Sequence, residues 1–300
     1  MPIKDQRNRN FAYAIKSFLG YLEGTQKSLL TIKNYKLDLL SFQRFLQEEY
    51  LDKLIQLDGI RRQDLENYRN YLSGKGLKSN TRRRKILTVT QFLSYLAKRK
   101  KLAPEMAQKI ATPHKIERIP LTVSAIHLQE SIQKLPCESL FEIRNRSLLW
   151  TLAETGCLVS EVVRLRFENW FFLEEEKFSL KIEGKAPRVV PVSNELFNSI
   201  QSLKTVSKDS AWNFLGFNKF GSLGSPMTPR GVEMLVKHYA SKLGCSQLTP
   251  RIFRHSIILY WFQEGLSSIE IQKRLGLKTT YAFRSYEPLL RSSLQTTSSS

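Results

Sequence analysis

Pro250-Arg251-Ile252-Phe253-Arg254-His255, then Leu275-Gly276-Leu277, then Phe283-Arg284-Ser285-Tyr286-Glu287-Pro288: these three runs, in this order, decide how the chain reads. Apolar spacing predicts helices over about 250–264 and 267–275, and a short helix carrying Tyr286 that ends at Pro288. Taken alone, Tyr286 is one of 11 tyrosines, and a buried core tyrosine is the default for any of them. Upstream, Thr155-Gly156-Cys157-Leu158-Val159-Ser160-Glu161 closes a predicted helix at about 143–156 and opens a shorter one at 160–165, with Ser160 as its N-cap. Between these regions, Phe178-Ser-Leu-Lys-Ile182 and Arg188-Val-Val-Pro-Val192 are short β runs around Glu183-Gly184-Lys185-Ala186-Pro187, a hairpin signal. Further helices are predicted at about 124–135, 194–204 and 228–243.

The preceding part of the chain is helical throughout. Phe11, Ile15, Phe18, Leu19 and Leu22 recur at helical spacing, as do Ile32, Tyr35, Leu39, Phe42, Phe45 and Leu46. A third helix covers 63–73 and ends at Gly74-Lys75-Gly76. Ser79-Asn80-Thr81 offers an N-cap for a fourth helix running to Lys101. That helix opens with Arg82-Arg83-Arg84-Lys85 and continues through Ile86, Val89, Phe92, Leu93 and Leu96, so one face is apolar and the other basic. Such a cluster is either a solvated charge run or a face for a polyanion. Residues 104–122, with Pro104, Pro113 and Pro120, read as an extended connector. The expected division is therefore a helical domain at 1–103, a linker at 104–122, a mixed domain at 123–292 and a disordered tail at 293–300.

Composition narrows the function classes. The 300 residues, 41% of them hydrophobic, suffice for two packed domains. Lys and Arg number 47 against 27 Asp and Glu, a net charge of +20. The basic residues are interleaved with apolar ones, which points to folded domains with basic faces toward DNA, RNA or an acidic surface. The polar start has no apolar signal core, and no stretch approaches membrane-spanning length. Cys137, Cys157 and Cys245 lie far apart, as reduced thiols of a cytoplasmic protein would. The four histidines do not cluster and no Walker loop is present, so neither a metal, a nucleotide nor another small-molecule cofactor is expected.

In this order and at these spacings, the motifs resemble the tyrosine recombinase, or phage integrase, family, and most closely its Xer branch. The resemblance covers about residues 11 to 290. Thr31, Tyr35 and Asp38 match a pattern on the family's N-terminal helices, and Thr81 to Ile86 matches its DNA-facing basic helix. Arg144-Asn145-Arg146, Thr155-Gly156 and Val159-Ser160-Glu161 look like the start of its catalytic domain. Arg254-His255, Leu275-Gly276 and Tyr286, nine residues beyond Leu277, look like its end.

The resemblance implies a fold, mostly α with a small β-sheet: a helical SAM-like core-binding domain and a mixed α/β catalytic-type domain, closing as a clamp on double-stranded DNA. It also implies a reaction, in which Tyr286 attacks a phosphodiester and forms a 3′-phosphotyrosyl bond with release of a 5′-hydroxyl. Arg254 matches the second catalytic arginine. Lys185 sits in the hairpin turn where the family keeps its general-acid lysine, although a plain exposed turn lysine fits the shortened turn too. Arg82, Arg83, Arg84 and Lys85 would lie at DNA phosphates.

Three positions depart from the pattern. The first catalytic arginine is replaced by Leu158, the usual His or Lys three residues before the second arginine is Arg251, and the usual His or Trp after Leu-Gly is Leu277. Arg251 can still donate to a phosphate. Leu158 removes a bidentate clamp, a loss worth at least ~100- to 1,000-fold in rate. Arg164 and Arg166 lie nearby, but on a continuous helix Arg164 would project about 120° away from the Leu158 direction. Glu161 is left without its usual cation and must find another or stay solvated. Two functions follow, a site-specific recombinase with an impaired centre or a DNA-binding regulator or accessory factor, and Leu158 is the residue that divides them. Family members assemble as homo-oligomers or with a recombinase partner on DNA by exchanging a C-terminal helix; the few residues after Tyr286 make a full exchange helix cramped.

Overall fold

The structure, a computed structural model, describes residues 10–25, 27–50, 56–107, 110–173, 177–207, 210–217 and 223–291. The polar start and the tail expected at 293–300 lie outside the described residues. The chain divides into two compact units, Met1–Glu117 and Arg118–Ser300.

The first unit is built from α1 (Phe11–Gly24), α2 (Leu29–Glu49), α3 (Arg62–Gly74) and α4 (Ser79–Lys98). Asn10 and Ser28 cap α1 and α2 by accepting from the backbone N–H three residues on. Each helix buries the face its spacing marks: Phe11, Ala14, Ile15, Phe18 and Leu22 on α1, and Leu39, Phe42 and Leu46 on α2. Phe92 of α4 meets Phe11 and Phe18 with ring centroids 5.5 Å apart.

The start of α4 differs from expectation. Its cap position is Lys78, with no side-chain cap. Ser79 donates instead to the His114 carbonyl at 3.2 Å, and Asn80 both donates to and accepts from the Ile116 backbone at 3.1 Å. The side chains expected to cap the helix are holding the segment that leaves the unit. That segment is not extended throughout, as the connector was expected to be: Pro104–Ala107 forms a 3₁₀ turn, and Met106 and Ile110 pack into the first unit's core.

The second unit opens with α5 (Ala125–Gln133), α6 (Leu140–Thr155) and α7 (Val159–Val162). A 3₁₀ turn (Phe167–Asn169) leads into β1 (Trp170–Leu173), β2 (Lys177–Ile182) and β3 (Arg188–Val192), an antiparallel sheet in that order. α8 (Asn194–Val206), a small pair β4 (Leu215–Phe217) and β5 (Leu223–Pro226), then α9 (Pro229–Tyr239), α10 (Pro250–Gln263) and α11 (Ser268–Leu275) follow. A 3₁₀ segment, Thr280–Tyr286, carries the tyrosine.

The β2–β3 hairpin matches its expected runs; β1, β4 and β5 had no period-2 signal because they are only three or four residues long. Two local expectations are corrected. The N-cap position of α7 is Leu158 rather than Ser160, and its backbone N–H is taken by the Glu161 carboxylate at 2.8 Å. Pro288 does not end the helix around Tyr286: helical backbone continues over 287–291, with the proline in a first turn where no N–H is needed.

α6 runs through the middle of this unit, with Leu148, Leu149, Leu152 and Ala153 in the main cluster. A second cluster, with Ile257, Trp261, Ile271, Leu275, Phe283 and Tyr286, ties α10, α11 and the 3₁₀ segment together. No helix among the described residues is long and apolar enough to cross a membrane.

Candidate active site

The site is organised by α10. Thr249 caps it and Pro250 occupies its first turn. Ile252, Phe253, Ser256 and Ile257 are buried, and this sets the direction of the other face, which carries Arg251, Arg254 and His255.

Arg254 is held by the ends of two other helices. Its Nη1 donates to the Gly156 carbonyl at 2.5 Å and its Nη2 to the Leu275 carbonyl at 3.2 Å. These carbonyls lie at the C-termini of α6 and α11, where helix dipoles favour a cation. Both helices end on a left-handed glycine, Gly156 (φ 60°) and Gly276 (φ 62°). A Cβ on Gly156 would stand 3.0 Å from Ile257, and one on Gly276 would stand 2.8 Å from the Cβ of Ala186. Glycine therefore lets α10 close on α6, and the hairpin turn close on α11. Burial lowers the Arg254 pKa, and the nearby Glu161 opposes that shift.

Tyr286 is 3% exposed. Its oxygen lies against Nδ1 of His255, and the Nε2 of that ring is 3.0 Å from Nε of Arg251. Burial raises the phenol pKa above its ordinary 10.0, against the lowering influence of Arg254 and Arg251. Burial, Arg251 and Arg254 together push the His255 pKa down to about 4, so the ring is neutral at pH 7. A cavity of about 440 Å³ opens in front of this group, lined by Tyr286, Arg254, Arg251 and His255 together with Cys157, Leu158 and Leu277. Burial also pushes the Cys157 thiol up to about 11, leaving it protonated.

Leu158 is 46% exposed. Arg164 and Arg166 do not line the cavity. Arg164 is exposed beyond the end of α7, while Arg166 lies over the Trp212 ring at 4.5 Å and pairs with Glu168 at 3.3 Å.

Glu161 is not left without a cation. Arg188, at the start of β3, grips it bidentately at 2.7 and 2.8 Å and also donates to the carbonyls of Arg274 (2.7 Å) and Ala186 (3.2 Å). Burial works to raise the Glu161 pKa, but the bonds from Arg188 and Leu158 N–H outweigh it and hold the carboxyl below its ordinary 4.5. Arg188 was missed from sequence because nothing in a five-residue strand announces a partner 27 positions earlier. Its side chain is 4% exposed and does not line the cavity, so it satisfies Glu161 from outside the cavity. In the sequence His255 is only the neighbour of Arg254; its contact with Tyr286 arises where α10 packs against the 3₁₀ segment.

Lys185 is not brought into the cavity. It is exposed in the hairpin turn, whose next residue, Ala186, packs against Gly276. In the first unit, all four residues of the basic cluster touch protein groups. Arg84 donates to buried Asp38 at 2.5 Å, and Lys85 lies 3.5 Å from the other Asp38 oxygen, an ion pair rather than a hydrogen bond. Arg83 donates to Thr112 and Pro113, and Arg82 to Ser73. The Arg84 side chain remains 49% exposed.

With a buried tyrosine against a neutral imidazole and beside an arginine fixed by two helix ends, the second unit carries its candidate centre, and two family models match the chain. The model for the phage integrase family matches residues 127–289, and that for the phage integrase N-terminal SAM-like domain matches residues 15–100. The chain belongs to the phage integrase family, the tyrosine recombinases, in its Xer branch. It is 26% identical to the tyrosine recombinase XerC of Staphylococcus carnosus over 82% of each chain. It is also 26% identical to the tyrosine recombinase XerD of Staphylococcus haemolyticus, over 87% of this chain and 89% of that one. Its fold is similar to that of the XerH site-specific recombinase bound to difH substrate in a pre-cleavage complex, with a TM-score of 0.68 and 20% identity over 89% of this chain and 79% of that one.

Proposed function

We propose that this chain binds a specific site on duplex DNA and attacks one of its phosphodiesters through Tyr286, as a site-specific recombinase with a weakened centre. Support comes from one observation above all: Tyr286, Arg254 and Arg251 share a single cavity. The Tyr286 oxygen gives up its proton to water in the cavity as it bonds to phosphorus, and the bond from phosphorus to the 5′-oxygen breaks. That oxygen takes up a proton from water to leave as a hydroxyl, and the bond energy is kept in the phosphotyrosine. Arg254 faces the non-bridging oxygens where charge develops. Arg251 has only its Nε engaged among the described residues, which leaves its terminal nitrogens for the phosphate. The exposed Arg84, with Arg82, Arg83 and Lys85 beside it, lies at the DNA backbone. Lys185 reaches the leaving oxygen only if the hairpin turn moves when DNA binds. Copies of the chain, or a recombinase partner, meet on DNA in a cytoplasmic compartment.

A second function, site-specific binding without cleavage, is favoured by Leu158: among the described residues Arg164, Arg166 and Arg188 do not line the cavity, and Arg188 is committed to Glu161. A nicked suicide duplex separates the two. Cleavage predicts a covalent adduct that forms slowly with the wild-type protein and is absent with Tyr286→Phe. No wild-type adduct on a site that the protein binds specifically assigns the chain to the binding-only class.

A further inference from the structure

Arg251, His255 and Tyr286 form a chain of two hydrogen bonds, and its donor order can be worked out. An arginine Nε carries a hydrogen and cannot accept, so in its 3.0 Å contact with His255 Nε2 it is the donor. Nε2 therefore presents its lone pair and bears no hydrogen. A neutral imidazole carries one N–H, which then falls on Nδ1. Nδ1 is the atom that faces the Tyr286 oxygen.

We infer that Arg251 is a positioning residue that locks His255 in its Nδ1-protonated tautomer, so that His255 donates a hydrogen bond to the Tyr286 oxygen and is not the base that takes its proton. The part about the base rests on Tyr286 being the nucleophile; the tautomer does not. A phenol oxygen that accepts from the ring keeps its own hydrogen free to pass to water in the cavity. As that hydrogen leaves, the ring N–H stays in place against the growing negative charge, a fixed donor of the kind that stabilises oxyanions. The groups facing the ring are Arg251, Arg254 and Tyr286, and two guanidiniums beside it oppose the imidazolium that a base would have to become. This assigns a function to the departure from the family pattern at position 251. Arginine there has a donor that a side chain acts through, in addition to any contact with phosphate.

The tautomer can be read on the full-length protein without DNA. Histidine labelled with nitrogen-15, in a long-range proton–nitrogen correlation at pH 7, shows which ring nitrogen bears the hydrogen, and the signals lost in His255→Gln identify the residue. A bare Nε2 and a protonated Nδ1 are expected. In Arg251→Met, which offers no donor, the ring is expected to switch to the Nε2-protonated form, with the Tyr286 hydroxyl donating to Nδ1. A wild-type ring protonated on Nε2, or a tautomer unmoved by Arg251→Met, overturns the inference. Adduct formation on the nicked duplex supplies a second test. Glutamine can accept from Arg251 and donate to Tyr286 but cannot take up a proton. His255→Gln is therefore expected to stay within about tenfold of wild type, whereas loss of a general base costs ~10²–10⁴-fold. His255→Gln as slow as His255→Phe overturns it. If wild type forms no adduct, the nucleophile assignment fails alone, and the tautomer still decides the inference.

Discussion

Tyr286 is a buried phenol, and burial works against the phenolate that attack on phosphorus requires. Its surroundings offset that with the two guanidiniums and the ring N–H of His255. The same ring makes the site acid-sensitive, and the sign follows from linkage. The folded-state pKa of His255, about 4, lies below the ordinary 6.5, so between these values the unfolded chain binds the proton more readily. Stability is full above the ordinary value and falls as pH drops toward 4. Glu161 acts in the same direction, since its folded pKa is also depressed and its contribution is lost on further acidification. The melting temperature is expected to fall between pH 7 and pH 4, and less steeply in His255→Gln; identical slopes for the two proteins would sink this assignment. At position 158, an arginine regains donors for the phosphate but meets a Glu161 whose oxygens are already bonded to Arg188. Leu158→Arg is expected to speed adduct formation by about 100-fold, the low end of what one such donor is worth, and no gain would mean that another group is missing.

At the scale of elements, the contacts that build the site are made where helices end. Gly276 closes α11 and admits the hairpin turn, so Gly276→Ala combines a left-handed alanine with a 2.8 Å clash against Ala186. It is expected to cost roughly 1–3 kcal/mol in a denaturation experiment and to loosen the grip of Arg188 on Glu161. In the first unit, Asp38 joins α2 to α4 through Arg84, Lys85 and Thr88. Asp38→Asn is expected to destabilise this unit by about 1–3 kcal/mol, the worth of hydrogen bonds to a charged group, and unchanged stability would contradict the anchoring role. The long helices were legible in the sequence because their apolar faces repeat at 3.6 residues, and so was the hairpin, whose strands flank a Gly-Lys turn. The ion pair between Glu161 and Arg188 and the contact between His255 and Tyr286 were not, because each joins residues 27 or 31 positions apart and leaves no local pattern. The expected Ser79-Asn80 cap is absent for a related reason: these side chains have a tertiary partner in the chain at 114–116.

For the molecule as a whole, a net charge of +20 makes duplex binding an electrostatic event. A protein touching 6–10 phosphates loses roughly 10³–10⁵ in affinity between about 50 and 200 mM salt, and a loss of that order is expected in a binding titration. An affinity insensitive to salt would exclude the backbone contacts assigned to Arg82, Arg83, Arg84 and Lys85. Binding, however, is common to both functions, whereas cleavage belongs to one. The decisive measurement is therefore covalent trapping on a nicked duplex of the bound site, with wild type beside Tyr286→Phe. A slow adduct through Tyr286 in the first and none in the second is the predicted result. Specific binding with no adduct from wild type would contradict it and leave this chain a recombinase in fold alone.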